Sequence, residues 1–184
     1  MKWSLLALLA GFLMDWAWGD PRGIPHPVIW IGNLIDFLEQ RLRDLLPATP
    51  KGERLAGGIL WVLTTSAATA LPALLLYLCQ RGSPWLRLAV ESVMCWQILA
   101  ARSLETESMK VYDALVSGDL AASRQAVSMI VGRDTTRLDE AGVARAAVET
   151  VAENTSDGVI APMLFLAIGG APLGFFYKAV NTMD

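Results

Sequence analysis

The sequence predicts an all-α fold: a polytopic integral membrane helical bundle with cytoplasmic helical segments. Three observations predict it. The 184 residues are 54% hydrophobic and only 18% charged, with mean hydropathy +0.42, less charge than a soluble domain carries. Leu55 to Cys79 holds no charged residue and is bounded by Arg54 and Arg81, long enough to cross a hydrocarbon core. The remaining patterned segments have helical periodicity, and no strand pattern or internal repeat stands out. We therefore read residues 1–184 as a single membrane-embedded domain in the cell inner membrane, in contact with its lipid.

In chain order, Trp3 to Trp18 is the first apolar run, interrupted by Asp15. Lys2, the Leu-rich centre and Ala17-Trp18-Gly19 imitate a signal peptide, but Asp15 and Trp16 are poor residues so near a cleavage site. A short membrane helix ending at Gly19-Asp20-Pro21 is the preferred reading. Pro25-His26-Pro27 then makes a rigid junction, with Pro27 suited to the first turn of the next helix. Val28, Ile31, Ile35, Leu38, Leu42 and Leu45 form a helical stripe opposite Asn33, Asp36, Glu39, Gln40, Arg43 and Asp44. Val28 to Leu46 is thus an amphipathic helix, lying along the membrane surface or packed across the bundle.

Pro72 inside the Leu55–Cys79 span is a possible kink that membrane helices tolerate. Trp85 to Leu104 is a weaker span, with Arg87 and Arg102 placed to snorkel and Glu91 nearer its apolar part. An ionisable group there is a functional candidate, or a partner for Arg87. Helices are expected from Glu105 to Ser117, stopped by Gly118, and from Asp119 to Val131, stopped by Gly132. A further helix runs from about Leu138 to Asn154, and Asn154-Thr155-Ser156-Asp157-Gly158 resembles a cap and turn. Val159 to Val180, broken by Gly169-Gly170 and Pro172, is either one bent helix or a re-entrant hairpin.

Charge orients these segments. Arg22, Arg41, Arg43, Lys51 and Arg54 fall in 19–54, and Arg102, Lys110, Arg124, Arg133, Arg137 and Arg145 in 102–158, against Lys2, Arg81 and Arg87 on the other side. The positive-inside rule places both long polar segments in the cytoplasm and the N-terminus outside. The net charge of −3 and the lack of a basic patch with interleaved aromatics argue against a nucleic-acid partner. Cys79 and Cys95 sit in apolar runs and read as small buried hydrophobes. With His26 the single histidine, a structural zinc site has no ligand set.

Chemistry concentrates in Gly132 to Gly158. Arg145, Glu149 and Glu153 are spaced four residues apart and share a helix face. They read either as a salt-bridge ladder or, with Arg133 and Asp157, as a site for phosphate and a hard cation. Gly132-Arg133-Asp134-Thr135-Thr136 precedes a helix, where amides, hydroxyls and Arg133 suit a phosphate. Neither a Walker A loop nor a dinucleotide loop occurs. Asp20 and His26 are candidates for metal ligand, phosphate contact or proton carrier, with a cap and turn as the alternative. Lys178 and Asn181 share a helix face, and a lysine beside an apolar run needs a partner or the surface. Arg102, Glu105 and Glu107 read as mouth residues or as a snorkelling flank.

Gly19-Asp20-Pro21, Pro25-His26-Pro27-Val28, Val131-Gly132-Arg133-Asp134-Thr135, Val148-Glu149-Thr150-Val151-Ala152-Glu153-Asn154-Thr155, Asp157-Gly158-Val159-Ile160-Ala161-Pro162 and Tyr177-Lys178-Ala179-Val180-Asn181-Thr182 together resemble the CbiB/CobD family of adenosylcobinamide-phosphate synthases. The motifs are ordered and span nearly the whole chain. Family members continue past this point, so the resemblance implies an N-terminal portion. It implies ATP-dependent amide ligation, joining a propionate carboxylate of adenosylcobyric acid to aminopropanol phosphate or a similar amino-alcohol. ATP and Mg²⁺ are the cofactors this implies. The partners are the corrinoid, the amino-alcohol phosphate, and either a second copy or other cobalamin-pathway membrane proteins.

The residue types suit such chemistry. We expect Glu149, Glu153 and Asp157 to hold Mg²⁺. Arg133, Thr135, Arg145, Lys178 and Asn181 are expected to bind phosphate. Asp20, His26 or Asp134 is expected to take the amine proton. The competing readings are a non-catalytic regulatory or assembly subunit, and a transporter using Glu91 as its ion site.

Overall fold

The computed structural model describes residues 2–20, 23 and 26–184 and is all-helical among them. Pro21 and Pro25 of the proposed rigid junction lie outside the described residues, as does Arg22 of the charge count. Helix α1 spans Lys2–Trp18, α2 Pro27–Leu45, α3 Pro50–Gly82, α4 Pro84–Ile98, α5 Ala101–Val116, α6 Leu120–Ser128, α7 Glu140–Thr155 and α8 Ala161–Met183. A π-helical turn, Ser156–Ile160, joins α7 to α8.

Local chemistry explains most boundaries. Thr49, Ser83, Asp119 and Asp139 accept first-turn amide protons of α3, α4, α6 and α7, as short oxygen side chains do at N-caps. Pro27, Pro50 and Pro84 open their helices, where a missing N–H costs nothing. Pro72 lies inside α3, which continues past it to Gly82. The third apolar run is not one helix. It breaks at Leu99–Ala100, and α5 starts at Ala101 rather than Glu105. Gly118 stops α5 with a positive φ of 73°, but α6 ends at Ser128, short of Gly132.

Two helical stretches are long and apolar enough to cross a membrane: Pro50–Gly82 and Glu140–Met183. The first is one uninterrupted helix, and the second is not. Phe165 and Tyr177 are twelve residues apart, about 18 Å along a helix, yet their rings lie 5.0 Å apart. Phe165 also stacks on Phe176 at 6.5 Å. The chain reverses at Gly170, whose φ of 67° and ψ of −164° suit only a residue without a Cβ. Of the two readings of Val159–Val180, the hairpin is the one formed. The stretch before it also departs from the sequence reading. Asn154–Gly158 is not a cap and turn; the helix continues through the π turn.

Helices α1 and α4 run parallel, with Trp3 against Trp85 at one end (ring centroids 5.4 Å) and Trp18 near Trp96 at the other (6.1 Å). They meet at Gly11, where a Cβ would come within 2.5 Å of Cys95 Cβ and 2.8 Å of Trp96 N. One core joins α1, α2, α3, α4 and the α8 hairpin, including Ala7, Ile98, Leu99, Leu166 and Phe175. Ile31 of the α2 stripe is part of it, whereas Leu45 is exposed. A second, smaller core of Val111, Val127, Val143 and Ala146 ties α5, α6 and α7 into a helical arm. Much of the outside of α1 and α3 is apolar, including Leu5, Leu9, Leu13, Leu71, Leu74 and Leu78.

Candidate functional site

The end of the bundle where α1 stops is built around Asp15. Its carboxylate is fully buried and accepts from the amides of Ala101 (2.9 Å) and Arg102 (3.3 Å), capping α5 where no side chain of its own does so. Trp96 Nε1 donates to Gly19 O at 2.8 Å, and Ala100 N donates to Gly158 O at 3.2 Å. These bonds bring the end of α1, the α4–α5 junction and the π turn to one place.

Around that frame several polar side chains converge. Ser103 Oγ donates to Asp20 Oδ2 at 2.9 Å. His26 Nε2 lies 3.7 Å from Asp20 Oδ1, while its Nδ1 accepts from Val28 N at 3.3 Å as the cap of α2. His26 is therefore the cap of α2, the structural reading offered for it from sequence, and it also lies beside Asp20. Lys178, half-buried on the returning arm of the hairpin, lies within reach of the charges of Asp20 and Asp157. Asp157 also faces the phenol of Tyr177. Asp157 sits on the π turn that joins α7 to the hairpin. Glu149 and Glu153 remain exposed on the arm while Asp157 is half-buried.

The helical arm carries a second group. Arg133 Nη2 donates to Glu149 Oε2 at 3.0 Å, with both side chains more than half exposed. Among the described residues no ion pair links Arg145 to Glu149 or Glu153, so the ladder considered from sequence does not close. Asp134 Oδ1 accepts from Thr136 N (2.9 Å) and Thr136 Oγ1 (2.8 Å). These two bonds hold its carboxyl below the usual carboxylate range. Thr135 is buried, and its hydroxyl donates to Arg124 O at 3.1 Å, fastening the loop to α6. Asn181 lies on the last turns of α8, half-buried.

The expected residues thus divide. Asp20, His26, Asp157 and Lys178 come together at the mouth; Arg133, Asp134, Thr135, Arg145, Glu149 and Glu153 lie on the arm. Among the described residues no three His, Cys, Asp or Glu side chains gather in a metal-holding group. Glu91 lies deeper, 1% exposed, with Arg87 Nε 3.4 Å from its Oε2; this is the Arg87 pairing considered as the alternative to a functional role. Sequence reasoning missed Ser103, Tyr177 and Asp15. Asp15 did carry a signal, a lone carboxylate in an apolar run. Tyr177 stood within a quoted motif, and Ser103 had no signal beyond its place between Arg102 and Glu105.

A profile described as CobD/Cbib protein matches residues 8–184. The chain belongs to the CobD/CbiB family. It is 46% identical over 181 residues to cobalamin biosynthesis protein CbiB of Salmonella typhimurium, covering 98% of this chain and 56% of that protein. It is 51% identical over 181 residues to cobalamin biosynthesis protein CobD of Geobacter metallireducens, covering 96% and 54%. With CobD of Pelobacter propionicus the identity is 46%, covering 98% and 54%. The chain thus spans about half the length of these CobD/CbiB relatives. No solved structure matches. The mouth unites four separate family motifs: Gly19-Asp20, His26-Pro27-Val28, Asp157-Gly158 and Tyr177-Lys178.

Proposed function

We propose that this chain is part of a membrane-embedded adenosylcobinamide-phosphate synthase, acting in cobalamin biosynthesis by ATP-dependent amide ligation. The substrates are adenosylcobyric acid and aminopropanol phosphate or a similar amino-alcohol. The observation that carries this reading is the meeting of Asp20, His26, Asp157 and Lys178 at one end of an apolar bundle, from motifs far apart in sequence.

A carboxylate and an amine do not condense unaided in water. Transfer of a phosphoryl group from ATP to the corrinoid carboxylate gives an acyl phosphate and ADP. The amine then attacks the acyl carbon, phosphate leaves, and one proton must be taken from the nitrogen. Asp20, oriented by Ser103 and adjacent to His26, is placed for that proton. Lys178 supplies positive charge for a phosphoryl oxygen, as a point charge rather than a fork. Mg²⁺ suits carboxylate oxygens; Asp157 and Glu153, four residues apart, would hold it, and the ion would offset nucleotide charge. Arg133, with Thr135 behind it, forms an outer phosphate contact on the arm. Orientation of the two long polar segments to the cytoplasm puts the mouth on the side where ATP is found.

The test is a reconstituted assay of the protein with adenosylcobyric acid, aminopropanol phosphate and Mg-ATP, following corrinoid product and ADP together. Lys178→Ala and Asp20→Asn should remove product formation while membrane insertion persists. Normal turnover by both variants, or product without ADP, sinks the reading.

A further inference from the structure

The tip of the α8 hairpin is pressed against a buried charge. A Cβ at Gly170 would collide with Glu91 Oε1 and come within 3.3 Å of Ser4 Oγ. Both Glu91 oxygens are buried and neither accepts a hydrogen bond. Their polar neighbour is Arg87, whose Nε is 3.4 Å from Oε2 and itself makes no hydrogen bond. Arg87 Nη2 reaches Ser4 Oγ at 3.5 Å. Three separate elements, α1, α4 and the hairpin, therefore meet at one ion pair. A buried carboxylate is tolerated only while its counter-charge stays in place. This group lies at the opposite end of the returning arm from the mouth: Lys178 is eight residues beyond Gly170, about 12 Å of helix.

We propose that the Arg87–Glu91 pair is a latch on the left-handed turn at Gly170, and that by fixing this turn it sets where Lys178 stands in the mouth. Glu91 is then a positioning residue: it touches nothing at the mouth and acts through the hairpin. The geometry explains why the turn is a glycine, since any side chain there would displace the Glu91 oxygen. It also gives this buried carboxylate a task other than ion passage. The statement about Lys178 rests on the proposed function; the statement about the hairpin does not.

The test measures position rather than activity. Spin labels at Thr106 on α5 and Thr182 on α8, both exposed, report the distance across the mouth in detergent-solubilised protein. The parent protein should give one narrow distribution. Glu91→Gln should broaden it and shift its mean by several ångström. Arg87→Gln should do the same, and the double variant should go no further than either alone, because both remove one interaction. Arg87 is 30% exposed, so its variant carries the test if Glu91→Gln does not accumulate. A narrow, unshifted distribution in the folded variants, even with lowered thermal stability, overturns the latch. If the distances move as expected but Lys178→Ala leaves binding of ATP and of aminopropanol phosphate unchanged, the latch stands and the assignment of Lys178 fails.

Discussion

At the scale of single residues, the mouth and the arm make different demands on their charges. Arg133 and Glu149 are paired in the open, and an exposed pair is worth about 0–1 kcal/mol. Loss of the pair alone should barely change stability. If Arg133 binds a phosphorylated substrate, Arg133→Ala should weaken that binding by about 1.5–3 kcal/mol, the range for a hydrogen bond to a charged group. Arg133→Lys should restore it only in part. Separate titrations with ATP and with aminopropanol phosphate decide this, and unchanged affinity for both leaves Arg133 as a loop residue. Asp134 gives a pH prediction. Its folded carboxyl is held down by the Thr136 amide and hydroxyl, so these bonds stabilise the loop above the unfolded value of about 3.9 and are lost as pH falls through the lower folded value. Exchange of the Thr136 amide should therefore stay protected through ordinary aspartate titration and rise only at more acid pH. Asp134→Asn should remove that pH dependence.

At the scale of the element, glycines separate packing from propensity. Gly58 lies inside α3, and a Cβ there would meet nothing within 4 Å. Gly58→Ala should stabilise by about 0.5–1 kcal/mol, as helix propensity predicts. Gly170→Ala should do the opposite. This backbone region is open essentially to glycine alone and costs another residue on the order of 1–3 kcal/mol, and the added methyl meets the Glu91 carboxylate. Thermal unfolding in one detergent compares the two; equal midpoints would mean that the reversal at Gly170 is not rigid. The π turn is the other decisive element. It joins α7 to the hairpin and carries Asp157, which faces Tyr177.

At the scale of the whole molecule, both ends of the bundle have a consistent composition. Trp3, Arg81, Trp85 and Arg87 lie toward one end; Asp20, His26, Ser103, Asp157 and Lys178 gather at the other. The hairpin returns to the end it left, so the orientation drawn from one crossing per apolar run has to be measured. Cysteines at Ala48 and Ser128, both exposed, should be protected from an impermeant thiol reagent in intact cells. A cysteine at the exposed Gln80 should label. The reverse pattern would invert the orientation of the protein.

By itself the sequence determined the helical class, the uncharged span of α3, the amphipathic α2, the Gly118 stop and Asp119 cap between α5 and α6, and the family. Each of these is written in local periodicity, in side-chain chemistry within a few residues, or in motifs read directly along the chain. Only the tertiary structure decided that Val159–Val180 folds back, because a glycine pair and a proline allow a bend without fixing its angle. It alone showed Asp157 half-buried beside Tyr177 while Glu149 and Glu153 stay exposed, since which residues are covered depends on where the hairpin packs. It also decided that Asp20, Ser103, Asp157 and Lys178 are neighbours. Their proximity arises from Asp15 capping α5 and from the depth of the hairpin, and both are contacts between elements far apart in the chain.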